Sequence, residues 1–343
     1  MAFPRFFAAL TGIAAAFAAI ASPAAAQGDD LQATFDSTFG TQVRAPQSFD
    51  AVYASTFEQR IAMLADPAQG RIGVAAIDLA TGEQVMVLGD QLFPLASTSK
   101  VAVAATFLEM VEKGKYSLTS EFPLMMPVSS AKYSSAKAPV RPGQYMAAID
   151  LIEMMITRSS NPATDALLAA VGGPAAVNDW MRRQKIAQFS INRDIATLVR
   201  DDGEFNPATY VDTRDAATPR AMMRLLSGLQ RGEFLSDQSR RVLLGAMSRT
   251  VTGKRRIPAN MPLEARVSHK TGSLSNTSSD VGIIECPDGR TIAVAIYVTG
   301  QVTKQAREER IAAIARALYD GFAVRAQANP VKNWANAPYG TGG

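Results

Sequence analysis

Ser97-Thr98-Ser99-Lys100 places a lysine three residues after a serine, where an apolar helical repeat (Val101, Ala104, Leu108, Val111) begins. Residues i and i+3 share a helix face, so the Lys100 amine can reach the Ser97 hydroxyl. A serine hydroxyl is a weak nucleophile until a base takes its proton. A lysine whose pKa is lowered by burial or by a neighbouring positive charge can be that base. The helix N-terminus adds backbone N–H groups where an oxyanion would sit. The plainer reading is a helix cap, which serine supplies in many proteins. Spacing alone does not separate the two: Ser129-Ser130-Ala131-Lys132 and Ser134-Ser135-Ala136-Lys137 repeat it in a polar stretch with no apolar face, and read as loop.

Two further clusters bear on the choice. Ser159-Ser160-Asn161 follows an apolar helical run (Ile149, Ile152, Ile156) and precedes Pro162, a residue favoured at a helix start. Asn161 is otherwise simply the cap of that helix, and Ser190-Ile191-Asn192 repeats the spacing elsewhere. Lys270-Thr271-Gly272-Ser273 stands where a strand beginning near Glu264 should end; its ordinary reading is a surface turn. The single His269, directly before Lys270, could tune that lysine or contact a ligand. A Ser-His-Asp triad is not needed when Lys100 already offers a base, so a satisfied near-site histidine is expected.

Composition narrows the classes. With 47% hydrophobic and 19% charged residues the chain of 343 is globular and long enough to bury a core. The net charge of +4 is spread over both signs without a basic block, so no nucleic-acid surface is expected. One cysteine, Cys286, and one histidine exclude an internal disulfide, a four-Cys or three-His zinc site and an iron–sulfur cluster. No metal and no cofactor is expected.

The elements that must position these residues follow from periodicity. Residues 1–26 read as a cleavable export signal: Arg5, an apolar run over 6–21, then Ala24 and Ala26 before Gln27. The run is shorter than the ~20 residues of a membrane span, so a periplasmic or secreted chain with no stable span is expected. Residues 27–48 are a polar lead-in. A helix carries Val52, Phe57, Ile61 and Leu64, and strands follow at 71–79 and 84–88 around a turn at 80–83. The stretch 97–230 is helix-rich. Strands at 281–286 and 291–298 flank Pro287-Asp288-Gly289, and a last helix over 303–322 aligns Ile311, Ile314, Ala315, Leu318 and Phe322. Strands at both ends with helices between predict an α/β chain of the α+β type, an antiparallel sheet flanked by helices with an all-helical domain inserted. The sheet domain is discontinuous, 49–95 and 219–325, the helical domain spans 96–218, and 326–343 is a flexible tail.

Ser-x-x-Lys, Ser-x-Asn and Lys-Thr-Gly in that order are the signature of penicillin-recognising serine enzymes. With Phe93-Pro94-Leu95-Ala96 before Ser97, Arg214-Asp215 with Thr218-Pro219, and Asp280-Val281-Gly282-Ile283-Ile284 after the third motif, the chain resembles class A β-lactamases from about Arg71 to Phe322. The resemblance implies a β-lactamase/transpeptidase-like fold with about five strands, a β-lactam substrate and a monomer. It implies that Ser97 forms an acyl-enzyme, that Lys100 helps remove its proton, and that Ser159 relays a proton to the departing ring nitrogen. The N–H groups of Ser97 and Ser273 would form the oxyanion hole. Asn161 would hold the substrate amide and Lys100, with Asn206 also on the substrate side, and Lys270, Thr271 and Ser273 would take its carboxylate.

For deacylation the family pattern is Arg-x-Glu-x-x-Leu-Asn. Matched at Arg200 and Asn206, it puts Asp202 at the general-base position, with Glu204 as the alternative and Arg200 paired to Asp215 across the neck of the loop. Aspartate is one methylene short of the family glutamate, and Ser160 replaces the usual Asp between Ser159 and Asn161. These departures keep a slowly deacylating penicillin-binding protein as an alternative; a D-Ala-D-Ala peptidase acting on peptidoglycan stem peptides, which resembles the chain in the motifs, is a further one, and the Arg200–Asp215 loop argues against it.

Overall fold

A computed structural model of the chain describes residues 53–328. The expected export segment 1–26, the lead-in 27–48 and the tail beyond residue 328 lie outside the described residues. The ten strands described are β1 (Ile72–Asp78), β2 (Gln84–Val87), β3 (Phe93–Pro94), β4 (Glu121–Pro127), β5 (Val140–Ala147), β6 (Phe189–Ile191), β7 (Asp215–Ala217), β8 (Arg266–Leu274), β9 (Thr277–Glu285) and β10 (Thr291–Thr299). Five of them make one antiparallel sheet in the order β2-β1-β10-β9-β8, joining the two ends of the chain as the hydrophobic patterning predicts.

Both faces of this sheet are covered, which is why its inner strands read as unbroken apolar runs rather than alternating ones. On one face Ile72, Val74, Ile292 and Val294 meet helices Thr56–Leu64 and Lys304–Ala328 through Phe57, Ile61, Ile311, Leu318 and Phe322. On the other, Ala75, Ile77, Ala293, Ala295 and Tyr297 meet the helical half through Val101, Phe107, Leu225 and Trp180. The last helix extends to Ala328, beyond the 303–322 expected from its apolar face, and takes in the first three positions of the expected tail.

The inserted region is not all-helical. Helices Lys100–Glu112, Ala148–Thr157, Asn161–Val171 and Pro174–Arg183 are interrupted by the β4–β5 hairpin and by a small sheet in the order β3-β7-β6. Pro123, Pro127 and Pro142 hide the hairpin in the sequence, since proline weakens a strand pattern; here it is an isolated pair with a register shift between Pro123 and Met125. In the small sheet β7 pairs with both β3 and β6, so the segment leading to Ser97 is tied to the loop that follows β6.

Phe93 anchors that lead-in. Its ring is fully buried, stacks on Tyr297 with centroids 5.8 Å apart, and lies 4.5 Å beneath the Arg71 guanidinium. Phe93→Ala would leave a cavity under the Ser97 turn and is expected to cost about 3–5 kcal/mol in a denaturant titration.

Candidate active site

The Ser97 region is a tight turn before it is a helix. Residues Ala96–Ser99 form a 3-10 turn, and the α-helix proper starts at Lys100. Ala96 has φ +47°, a left-handed conformation that costs energy for a residue with a Cβ and holds Ser97 out from the core. Three hydroxyls follow one another here and two are consumed locally. Thr98 donates to the Leu95 carbonyl (2.6 Å) and Ser99 to the Ala96 carbonyl (2.9 Å). Ser97 is half-buried, and among the described residues its hydroxyl has no hydrogen-bond partner.

Lys100 and Lys270 are both fully buried and converge on one oxygen. Lys100 Nζ donates to Ser159 Oγ (3.1 Å), the Ser159 carbonyl (2.8 Å) and Asn161 Oδ1 (2.7 Å). Lys270 Nζ donates to the same Ser159 Oγ (3.0 Å) and to the Thr271 carbonyl (2.9 Å). Ser159 also sits at φ +58°, which turns its carbonyl and hydroxyl toward the lysines. Burial drives the Lys100 pKa well below its ordinary value, and the positive Lys270 pushes the same way against Asp165. Burial brings Lys270 down to about 7, with Asp280 opposing and Arg256 assisting. The half-exposed Ser97 hydroxyl thus stands three residues before an amine that sheds its proton easily but makes no hydrogen bond to it, and Ser159 holds that amine and a second one, Lys270, together.

Ser160 caps helix Asn161–Val171 by accepting from the Ala163 amide, which places Asn161 on the first turn rather than at the cap. Across from it, β8 is an edge strand of the main sheet, so half of its N–H groups are free of the ladder. Gly272 explains the third motif: a Cβ there would lie 2.3 Å from Ser279 Oγ and 3.0 Å from the Leu95 carbonyl, so β8 could not pack on the Ser97 turn. Thr271 Oγ1 meets Thr252 Oγ1 (2.7 Å), and Ser273 Oγ accepts from Arg256 (2.7 Å). His269 Nδ1 lies 2.9 Å from both oxygens of buried Asp280, a satisfied pair within the sheet rather than a partner of Ser97. Lys132 and Lys137, of the two chance repeats, are exposed in the loop between β4 and β5.

The loop after β6 departs from the expected register. Asp215 does not pair with Arg200. Its carboxylate takes Arg193 Nε at 2.6 Å and the amides of Asn192 and Arg193. Strand pairing decides this: Ile191 lies opposite Asp215, so Arg193 emerges beside it. Arg200, at the end of helix Ile195–Arg200, instead binds Asp201 and the carbonyls of Ser134 and Ala136. The candidate bases are engaged away from Lys100. Both Asp202 oxygens accept the Ser275 amide (2.8 and 3.0 Å), Glu204 pairs with Arg214 (2.5 Å), and Asn206 Oδ1 accepts from Asn276 (2.8 Å).

Two site residues escaped the sequence reading. Asp165, one helical turn beyond Asn161, is buried and accepts from the Ile195 (2.7 Å) and Ala196 (2.9 Å) amides. Burial raises its pKa to about 6 against those two bonds, and Lys100 feels its charge. The i+4 spacing from Asn161 was the available signal. Arg256, also buried, spans the Gly272 and Ser279 carbonyls and Ser273 Oγ; nothing local marks it. Among the described residues no three His, Cys, Asp or Glu side chains gather into a metal-holding group.

Comparison with known proteins places this geometry. A profile described as "Beta-lactamase enzyme family" matches residues 56–322. The chain is 31% identical over 272 residues to β-lactamase CTX-M-25 of Escherichia coli, covering 78% of this chain and 90% of that one. It is 30% identical to β-lactamase OXY-2 of Klebsiella oxytoca, covering 79% and 92%. Among solved structures, a β-lactamase from Chitinophaga pinensis superposes with a TM-score of 0.68 at 27% identity, covering 78% of this chain and all of that one. An acyl-enzyme complex of a leucine-to-glutamate mutant of PBP-A with penicillin G gives 0.68 at 26%, covering 79% and 97%.

The Asp165–Lys100 coupling has a measurable consequence. The Asp165 charge raises the Lys100 pKa, so Asp165→Asn lets it fall further, and the acid limb of any reaction that uses neutral Lys100 should move to lower pH. The same change sets an amide N–H₂ against a backbone N–H and should cost about 1–3 kcal/mol of stability. A pH–rate profile checks the first and denaturant melts the second.

Proposed function

Because the chain belongs to the β-lactamase enzyme family, we propose that it is an exported serine β-lactamase that opens β-lactams through an acyl-enzyme on Ser97. The observation that carries this reading is Ser159 Oγ held between the two buried amines, 3.1 Å from Lys100 and 3.0 Å from Lys270. Export rests on the signal-like pattern of residues 1–26.

In this mechanism neutral Lys100 takes the Ser97 proton as Oγ attacks the lactam carbonyl, and the resulting oxyanion is met by the N–H groups of Ser97 and Ser273. The C–N bond then breaks. Ser159 Oγ accepts from both lysines, so its own proton is free for the leaving nitrogen, and Lys100 returns the proton it holds. Lys270, Thr271 and Ser273 receive the substrate carboxylate and Asn161 the amide. The two lysines set opposite limits: activity falls at low pH as Lys100 becomes protonated, and carboxylate binding weakens as pH rises through about 7, where Lys270 loses its charge.

Deacylation is the open half. With the neck at Arg193, the family's Arg-x-Glu pattern falls on Ile195, an apolar residue. Asp202 and Glu204 are spent on Ser275 and Arg214. That observation favours a second reading, a penicillin-binding protein that deacylates slowly. A peptidase on stem peptides has no observation of its own here.

Brief exposure to penicillin G followed by intact-mass analysis tests both. A penicilloyl adduct should form and be absent in Ser97→Ala; an adduct surviving that change would refute the assignment. If the missing glutamate limits turnover, Ile195→Glu should hasten recovery of free mass by about 10²-fold or more, the range of an added general base; unchanged recovery would refute that limit.

A further inference from the structure

Lys254-Arg255-Arg256 is the one run of three basic residues in the chain. It belongs to a stretch, 250–256, that is fastened along β8 at the third motif. Thr250 Oγ1 donates to the His269 carbonyl (2.8 Å), and Thr252 Oγ1 meets Thr271 Oγ1 (2.7 Å). At Gly253, with φ +71°, a Cβ would lie 2.2 Å from Thr271 Cγ2, so only glycine lets the stretch close onto the strand here. On its other side the Val251 amide donates to the Thr157 carbonyl (3.0 Å), two residues before Ser159.

The three cations then part. Arg256 is 2% exposed and turns inward onto the Gly272 and Ser279 carbonyls, Ser273 Oγ and Glu308, so its charge is spent on holding β8. Lys254 and Arg255 are exposed. Lys254 has no hydrogen-bond or ion-pair partner among the described residues. Arg255 reaches only Glu309, at 3.9 Å and with both side chains 61% exposed, a pair too open to neutralise either charge. Arg158, directly before Ser159, is exposed and equally without a partner among the described residues. No contact within the fold accounts for this excess of positive charge.

Consecutive Cα atoms are about 3.8 Å apart, so Lys254 and Arg255 start within about 8 Å of the glycine that touches Thr271. Physiological salt leaves a charge felt over about that distance. In a cephalosporin the carbon bearing the ring carboxylate is bonded to the carbon bearing the second ring substituent. With the carboxylate at Lys270, Thr271 and Ser273, that substituent leaves the ring beside residues 253–255.

We propose that Lys254 and Arg255 form an anion-gathering lip at the carboxylate end of the site, and that the chain favours β-lactams carrying a second negative charge on the ring substituent. The inference rests on the β-lactam reading of the site and names the substrate class within it. Exposed charges of this kind speed encounter more than they tighten binding, so they act on the second-order rate of acylation. Lys254 and Arg255 are specificity residues and take no part in bond making.

The test uses the purified chain, the double variant Lys254→Gln with Arg255→Gln, and the charge-keeping Lys254→Arg. The probes are cefamandole and cefonicid, which share the nucleus and the mandelyl acyl group and differ by a sulfonate on the second ring substituent. Second-order rates of Ser97 acylation are measured by intact mass at roughly 0.01 M and 1 M salt, where the Debye length is about 30 and 3 Å. At low salt the unaltered chain and Lys254→Arg should take cefonicid about tenfold faster than cefamandole, the lower end of what charge steering gives. High salt, or the double variant, should bring the two rates together. Equal rates in the unaltered chain, with Ser97 still acylated, overturn the lip and leave the hydrolase reading standing. A cefonicid preference that survives the double variant, or that salt does not weaken, overturns it as well. Ser97 left free by both probes overturns the β-lactam reading itself, and this inference with it.

Discussion

Everything at this site depends on burying two lysines within two hydrogen-bond lengths of each other. An ammonium group removed from water is costly unless it is paired or sheds its proton, and here both sit at zero exposure around Ser159. Neither has a carboxylate in direct hydrogen-bond contact among the described residues; carbonyls and hydroxyls hold them instead. That choice keeps their charges labile. A tight ion pair would stabilise the protonated amine and end its use as a base.

The surrounding frame supplies what the lysines cannot. Backbone strain at Ala96 and Ser159 is tolerated because the elements on either side are well packed, with Phe93 and Tyr297 under one and helices Ala148–Thr157 and Asn161–Val171 flanking the other. Beneath β8, Arg256 joins Gly272, Ser279 and Ser273 and reaches Glu308 on the last helix. The edge strand is therefore fixed from behind while its free edge faces Ser97. Strain concentrated where chemistry is expected, and held there by packed neighbours, is what preorganisation looks like in a backbone.

The loop after β6 obeys a different logic. Its start is rigid: Asp215 caps the chain at Asn192 and Arg193, and beyond Asp194 the Asp165 carboxylate holds the amides of Ile195 and Ala196. Its continuation is tethered at the rim by side chains. The loop thus keeps its architectural carboxylates while an apolar Ile195 occupies the place the family pattern gives to glutamate.

Much was legible from the chain alone. Period and turn chemistry located the terminal strands, the last helix and the three motifs, because these signals are local: apolar spacing, a proline after Asn161, a glycine after Thr271. The neck of the loop was not legible. Arg193 and Arg200 are both plausible partners by spacing, and only the pairing of Ile191 with Asp215 selects the first. The β4–β5 hairpin hid behind its prolines, and Arg256 behind a featureless stretch. Sequence by itself determined which residue types stand in which order, and so the kind of chemistry they can do. The tertiary structure alone decided which hydroxyl stays free, which carboxylates are spent on backbone amides and which arginine meets Asp215, because those depend on groups far apart in the chain competing for one partner.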